Sequence, residues 1–192
     1  MPDPDPSLLP DISSRRLILR AMLPALDALM AGDVSAGGRL IGARIPCDLL
    51  ADPDVLTLGR DRLKADPAYV LWSPRAIILA EAATMIGHIG FHTSPDPEHL
   101  RAFATGAVEV GYTVFEPWRR QGFAREALGA LMAWASAEHG VLNFIASVSP
   151  DNVASLAVVR GFQFQEVGAH LDEADGPETI FLRQVKPHPL AR

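Results

Sequence analysis

Residues 108–127 read VEVGYTVFEPWRRQGFAREA, and they decide the fold. Val108, Val110, Tyr112 and Val114 alternate along the first half, the period of a strand. Glu116-Pro117-Trp118 stops that strand, and a helix is expected from about Gly122. A helix start carries backbone N–H groups with no helical acceptor and the positive end of the macrodipole, so it attracts anions. Arg119 and Arg120 stand at that start, and Gly122 and Ala124 let a ligand come close to the backbone. Strand, arginine loop and helix in this order predict a phosphate or pyrophosphate site.

The composition suits such a ligand only locally. The 192 residues carry 17 Lys and Arg against 23 Asp and Glu, a formal charge of −6. That balance argues against general affinity for nucleic acid or anionic membranes, and it is compatible with a cationic substrate such as an amine. Arg119, Arg120 and Arg125 form a basic cluster against this acidic background. Cys47 is the only cysteine, so no intramolecular disulfide can form, and a lone buried thiol is expected. The opening MPDPDPSLLPD lacks the basic and apolar regions of a signal peptide. The charge-free stretch 127–137 falls well short of the ~20 residues that span a bilayer. The expected compartment is the cytoplasm, and the chain is expected to be one domain, 1–192, with loose tails at about 1–12 and 186–192.

Outward from the central stretch, residues 16–20 (RLILR) are apolar enough for a first strand. Residues 22–31 look helical, with Pro24 near the start and Gly32 at the end. Residues 33–44, with glycines at 37, 38 and 42, give no readable pattern. One or two short helices are expected over 48–64, then strands at 77–81 and 85–92 about a turn at 82–84. Residues 93–106 read as a loop. The helix after Gly122 places Ala124, Leu128, Leu131, Met132 and Ala135 on one buried face and ends at His139-Gly140. A strand at 143–149, a short helix at 153–160 and strands at 161–168 and 179–185 complete the order, with an acidic turn at 172–177. This succession implies an α/β fold: a mixed sheet with helices on its faces.

Arg119-x-x-Gly122-x-Ala124 resembles the Arg/Gln-x-x-Gly-x-Gly/Ala loop of the GNAT superfamily of acyl-CoA-dependent N-acetyltransferases. Glu109-Val-Gly-Tyr112 followed by Pro117-Trp-Arg-Arg-Gln-Gly-Phe-Ala-Arg-Glu126 is most similar to the branch that holds the ribosomal-protein N-terminal acetyltransferases. The resemblance runs from about residue 14 to 185 and is specific from residue 85 onward. It implies the GNAT fold: a mixed, mostly antiparallel sheet of about seven strands with helices on both faces. Its two central parallel strands, here 108–114 and 143–149, splay apart around the pantetheine arm. It also implies acetyl-CoA as cosubstrate, held by Val110, Tyr112, Val114, Arg119, Arg120, Gln121, Gly122, Phe123, Ala124, Asn152 and Ser155. Core packing is the bland reading of Phe123, as of Trp118. The acceptor implied is an amine, on a small molecule or a protein N-terminus, facing residues 33–66 and 94–106. The protein would be a monomer or, by analogy, a homodimer, with neither nucleic acid nor membrane as partner.

Acyl transfer to an amine needs a neutral amine, a donor to the developing oxyanion and a route for the thiolate to gain a proton. Glu109, an acid in an otherwise apolar strand, occupies the position of a candidate base in the resembling branch, acting through water. A solvated, edge-facing or arginine-paired carboxylate is the alternative. Ser149-Pro-Asp-Asn152-Val-Ala-Ser155 resembles the segment in which an asparagine binds pantetheine and a serine sits near the thiol. Asn152 is equally placed as a helix N-cap, and both roles can coexist. Ser155 is the second candidate catalytic residue. Many members carry a tyrosine about seven residues after this asparagine to protonate the leaving thiolate; here Val159 stands there. Ser155, Tyr112 or water could substitute, and a non-catalytic acyl-CoA-binding module is the alternative function. Glu81 and Glu166 are further acids that could reach an acceptor, a surface charge being the simpler reading of Glu81. No metal is expected: His88 and His92 lie in a predicted strand, about 13 Å apart and too far to share one ion. The P-loop, nucleophile-elbow and zincin motifs are absent from the sequence.

Overall fold

The computed structural model describes residues 9–51, 54–172 and 176–186. The chain falls into two compact units, neither contiguous in sequence: Met1–Ser94 with Gly111–Leu131, and Pro95–Val110 with Met132–Arg192.

In the first unit, strands β1 (Ile12–Ser13), β2 (Leu17–Ala21), β3 (Arg75–Leu79) and β4 (Thr84–Phe91) pair antiparallel in chain order. Residues 9–12, expected in a loose tail, are held instead. Ile12 is buried, Arg20 forms an ion pair with Asp11 at 2.6 Å, and the Arg75 guanidinium donates to the Pro10 and Leu19 carbonyls. Arg75 is itself buried, and that burial brings its pKa down to about 10. Strand β3 ends at Leu79, so Glu81 lies in an exposed turn, as its simpler reading had it.

The connection from β2 to β3 is helical. A 3-10 turn at Leu23–Ala25 leads into α1 (Leu26–Met30). Next comes α2 (Val34–Ile41), which the sequence pattern does not announce. Asp33 caps it by accepting from the Ala36 N–H at 2.8 Å. Its glycines mask the helical period because they serve packing: a Cβ on Gly37 would meet Leu29 Cδ2 at 2.5 Å. Helices α3 (Asp48–Ala51) and α4 (Asp54–Ala65) are the two short helices expected there. Met22, Leu29, Ile41, Leu49, Leu56, Ile78, Met85 and Phe115 fill the core of this unit, with Trp118 packed against it.

In the second unit, strand β5 (Ala107–Val114) starts parallel to β6 (Asn143–Val148), with Ala107, Val108 and Glu109 opposite Asn143, Phe144 and Ile145. Strand β8 (Gly176–Gln184) pairs antiparallel with β6 and with β7 (Gln165–Asp172). Leu100, Ala107, Ile145 and Ile180 form a core cluster here. Gly161 belongs to helix α6 (Val153–Gly161) rather than to a strand, so β7 starts later than its pattern suggests. Part of the acidic turn lies outside the described residues, as do residues 1–8 and 187–192 of the expected tails.

Among the described residues the strand order is β1-β2-β3-β4-β5-β6-β8-β7, eight strands against about seven expected, the extra one being the two-residue β1. The β5–β6 pair is parallel, and β1–β2, β2–β3, β3–β4, β6–β8 and β7–β8 are antiparallel. Strand β5 and helix α5 (Phe123–His139) each contribute residues to both units. Helix α5 buries Phe123, Ala127, Leu128, Leu131, Met132 and Ala135, a face close to the expected one, and Gly140 follows it at φ +67°.

Gly87 in β4 faces the second half of β5 so closely that an added Cβ would lie 2.1 Å from the Thr113 carbonyl oxygen. The obstacle is backbone and cannot swing aside. Gly87→Ala is therefore expected to cost about 1–3 kcal/mol or more, the usual range for overpacking. Urea denaturation checks it, and an unchanged midpoint would show that the two strands can separate cheaply.

Candidate active site

The arginine loop belongs to the first unit. After β5, a 3-10 turn at Glu116–Trp118 packs its Trp118 ring edge-on to Phe115, at 6.5 Å between centroids. Arg119 is extended, Arg120 turns left-handed at φ +60° and Gly122 at φ +79°. Helix α5 then begins, its first helical bond running from Glu126 N–H to the Gly122 carbonyl. Gly122 is thus the N-cap, and the N–H groups of Phe123 and Ala124 have no helical acceptor. Arg119, Arg120, Gln121 and Gly122 are exposed. Arg119 Nε donates to the Val114 carbonyl at 2.9 Å, which ties the loop to the end of β5. Phe123 faces the core, so only its backbone is placed to meet a ligand. An exposed loop with two left-handed residues opening a long helix is a surface an anion can approach, and the residues present fit a pyrophosphate.

Two residues that the sequence reading passed over hold this loop. Arg16, just before β2, donates from both Nη atoms to the Gln121 carbonyl at 3.2 Å and from Nε to Glu126 at 2.7 Å. Its backbone N–H also reaches Glu126 at 2.7 Å, and Ser14 Oγ donates to the same carboxylate at 2.8 Å. The guanidinium lies 4.3 Å above the Phe123 ring. Burial works to raise the Glu126 pKa, but Arg16 and Ser14 stabilise the anion more and leave the carboxyl below its ordinary range. No local pattern joins residues 16 and 126; only the pairing of opposite charges flanking a strand start and a helix start hints at it.

Tyr112 and Val114 also lie in the first unit, on the same face of β5 by alternation, and the Tyr112 hydroxyl is buried. Glu109, Val110, Asn152 and Ser155 belong to the second. Glu109 is buried, not solvated. Ser147 Oγ donates to its Oε1 at 2.5 Å, and His99 Nε2 stands 3.8 Å from its Oε2. Neither partner was read from sequence: Ser147 is one serine of a strand, and His99 sits in a loop. Asn152 caps α6 by accepting from the Ser155 N–H at 3.0 Å, and Ser155 is half-buried in the first turn. Val159 is fully buried in the core.

A family model of the acetyltransferase (GNAT) domain matches residues 48–165, more than half of the chain. The chain belongs to the GNAT acetyltransferase family. It is accordingly an acetyltransferase that takes its acyl group from acetyl-CoA. A search of curated proteins found no match. Among solved structures, RimL, a ribosomal L7/L12 alpha-N-protein acetyltransferase in complex with coenzyme A, aligns at TM-score 0.63 and 18% identity, over 93% of this chain and 100% of that one. A ribosomal-protein-S5-alanine acetyltransferase from Vibrio fischeri aligns at 0.63 and 15%, covering 94% and 100%. A GNAT-family acetyltransferase from Bordetella pertussis, described as putative, aligns at 0.63 and 18%, covering 91% and 99%. At these identities the structural likeness speaks for the fold.

Cys47 is exposed rather than buried, at the residue before α3. His88 lies in β4 and His92 just after it, and no group of three metal-ligating side chains occurs among the described residues. Glu166 is exposed on β7. No helix among the described residues is long and apolar enough to cross a membrane.

Because the Glu126 pKa is depressed in the folded state, its stabilisation is present above the ordinary glutamate value and lost as pH falls through the folded value. The stability gap between wild type and Glu126→Gln is therefore expected to be wide at pH 7 and to narrow below about pH 4.3, the unperturbed value. Urea melts across that range check the sign; a gap independent of pH would place the stabilisation elsewhere.

Proposed function

We propose that this GNAT enzyme acetylates a primary amine by direct attack in a ternary complex, and that residues 119–124 hold the donor's pyrophosphate. The observation that carries the reading is the loop itself: exposed, with φ +60° at Arg120 and +79° at Gly122, opening a 17-residue helix. Backbone N–H groups of Gly122, Phe123 and Ala124 would meet the phosphates, with Arg119, Arg120 and Gln121 around them. Val110, Tyr112 and Val114 mark the length of β5 that would run along the pantetheine, and Asn152 would bind its amide end. When bound, acetyl-CoA supplies the activated acyl group.

Glu109 would take the amine's proton through water. A buried carboxylate with one oxygen already held by Ser147 has the fixed geometry a base needs. A backbone N–H near Val110 or Gly111 would meet the oxyanion. Ser155 would sit near the thiol, and no nucleophilic cysteine or serine motif calls for a covalent acyl-enzyme. The acceptor class favoured is an α-amine, on a protein N-terminus or a small molecule. Its ordinary pKa of about 7.7–8.0 leaves a sizeable neutral fraction near neutral pH, whereas a lysine at about 10.4 needs a stronger base. The chain is read as one acyltransferase domain, since both units draw on β5 and α5, and as a monomer or homodimer in the cytoplasm.

Calorimetric titration of acetyl-CoA tests the donor site. Micromolar binding is expected for the wild type, weakened about a hundredfold or more in Arg119→Glu/Gly122→Asp. Glu109→Gln is expected to bind acetyl-CoA normally and to lose about 10²–10⁴-fold in turnover of an alanyl peptide, the usual share of general base catalysis. Equal turnover by Glu109→Gln would remove that residue from the mechanism, and no binding by the wild type would sink the donor site.

A further inference from the structure

We infer that Arg16 is a positioning residue for donor binding: it sets the direction of the Gly122 N–H by holding the Gln121 carbonyl. The inference rests on the reading of residues 119–124 as the pyrophosphate loop.

The Gln121–Gly122 peptide is planar and trans, so its C=O and N–H point in opposite directions. Both Nη atoms of Arg16 bind the Gln121 oxygen at 3.2 Å. The oxygen is thereby turned toward the guanidinium, and the Gly122 N–H is turned to the other side. The alternative peptide orientation would present a carbonyl dipole to an incoming phosphate, which repels it. Gly122, at φ +79°, bounds this peptide, and glycine crosses between left- and right-handed conformations at little steric cost; Arg120, one residue earlier, is also left-handed at φ +60°. A short loop with such freedom needs an outside restraint to keep one orientation.

Arg16 is itself well restrained. Glu126 takes its Nε and its backbone N–H, both at 2.7 Å, and the Phe123 ring lies beneath the guanidinium at 4.3 Å. A Cβ placed on Gly122 would stand 3.7 Å from Arg16 Nη2, so the guanidinium lies against the Gly122 backbone. The same contact corrects an electrostatic conflict. Glu126 is an anion in the first turn of α5, where a second anion is to bind, and Arg16 neutralises it at contact distance.

Arg16→Lys is the discriminating variant, because a lysine can keep the charge beside Glu126 but cannot present a planar fork to both Gln121 and Glu126. Two probes are used by calorimetry or ligand-detected NMR: acetyl-CoA, and S-acetyl-pantetheine, which lacks the pyrophosphate. Arg16→Lys is expected to bind acetyl-CoA about tenfold more weakly, to bind S-acetyl-pantetheine as the wild type does, and to melt within a few degrees of it. Glu126→Gln, which loosens the guanidinium from its far side, should shift the ratio of the two affinities in the same direction by a smaller factor, and it decides the matter if Arg16→Lys does not fold. Equal weakening of both probes would mean a general structural role and overturn the inference. So would wild-type affinity for acetyl-CoA in the Arg16 variant while Gly122→Asp abolishes it. If Gly122→Asp also binds normally, the loop reading itself fails, and this inference with it.

Discussion

One carboxylate, Glu126, accepts from Ser14, from the Arg16 backbone and from the Arg16 side chain. Through it the segment before β2 and the start of α5 become a single piece, although 110 residues of chain separate them. Residues 119–122, between the packed Trp118 and α5, are exposed, and two of them are left-handed. The conformation of this loop therefore depends on what grips it from outside. Arg119 does so at the β5 end through the Val114 carbonyl, and Arg16 at the α5 end through Gln121. With both ends fixed, the first-turn N–H groups of α5 are held in one direction before any ligand arrives. Such preorganisation lowers the ordering cost of binding.

The legible parts of this chain are those in which local pattern and tertiary role agree. Val108, Val110, Tyr112 and Val114 alternate, Gly122 starts a helix and Gly140 ends it, and each does in the fold what its spacing promises. Asn152 is legible for the same reason: its capping bond to the Ser155 N–H is local. Legibility fails where tertiary contact overrides local propensity. Gly37 looks like a helix breaker, yet it is the residue whose missing side chain lets Leu29 pack on α2. Ile12 closes an opening that reads as loose, and strand pairing with Leu19 orders it. Arg16, Ser147 and His99 form contacts across long stretches of chain, and no single-sequence period reports those.

Glu109 shows what a buried carboxylate can mean. Removing such a group from water is expensive, and the cost falls when a hydrogen bond meets the charge. Ser147 supplies one at 2.5 Å, and His99 at 3.8 Å is beyond hydrogen-bond reach but near enough to feel the charge. A residue kept only for stability at this point of β5 would be better served by another valine, which fits a half-buried strand at no desolvation cost. A buried acid whose orientation is fixed by a serine is compatible with the base role proposed for it.

The loss of the family tyrosine is best weighed through helix α6. Asn152 caps its start, while at its end the Arg183 guanidinium donates to the Phe162 carbonyl and lies over the Phe162 ring. Val159, between these ends, is fully buried, so its side chain serves packing. The acid step falls to other donors in the proposed reading. A thiol has an ordinary pKa near 8.5, so a thiolate is a stable enough anion to depart before it is protonated. An alkoxide or amide leaving group could not. Thioester chemistry is thus a setting in which this position can be given over to packing, with Ser155, Tyr112 or water left to deliver the proton in that reading. The amine's own proton must still be taken up, and Glu109, buried and held by Ser147, is the group proposed to take it.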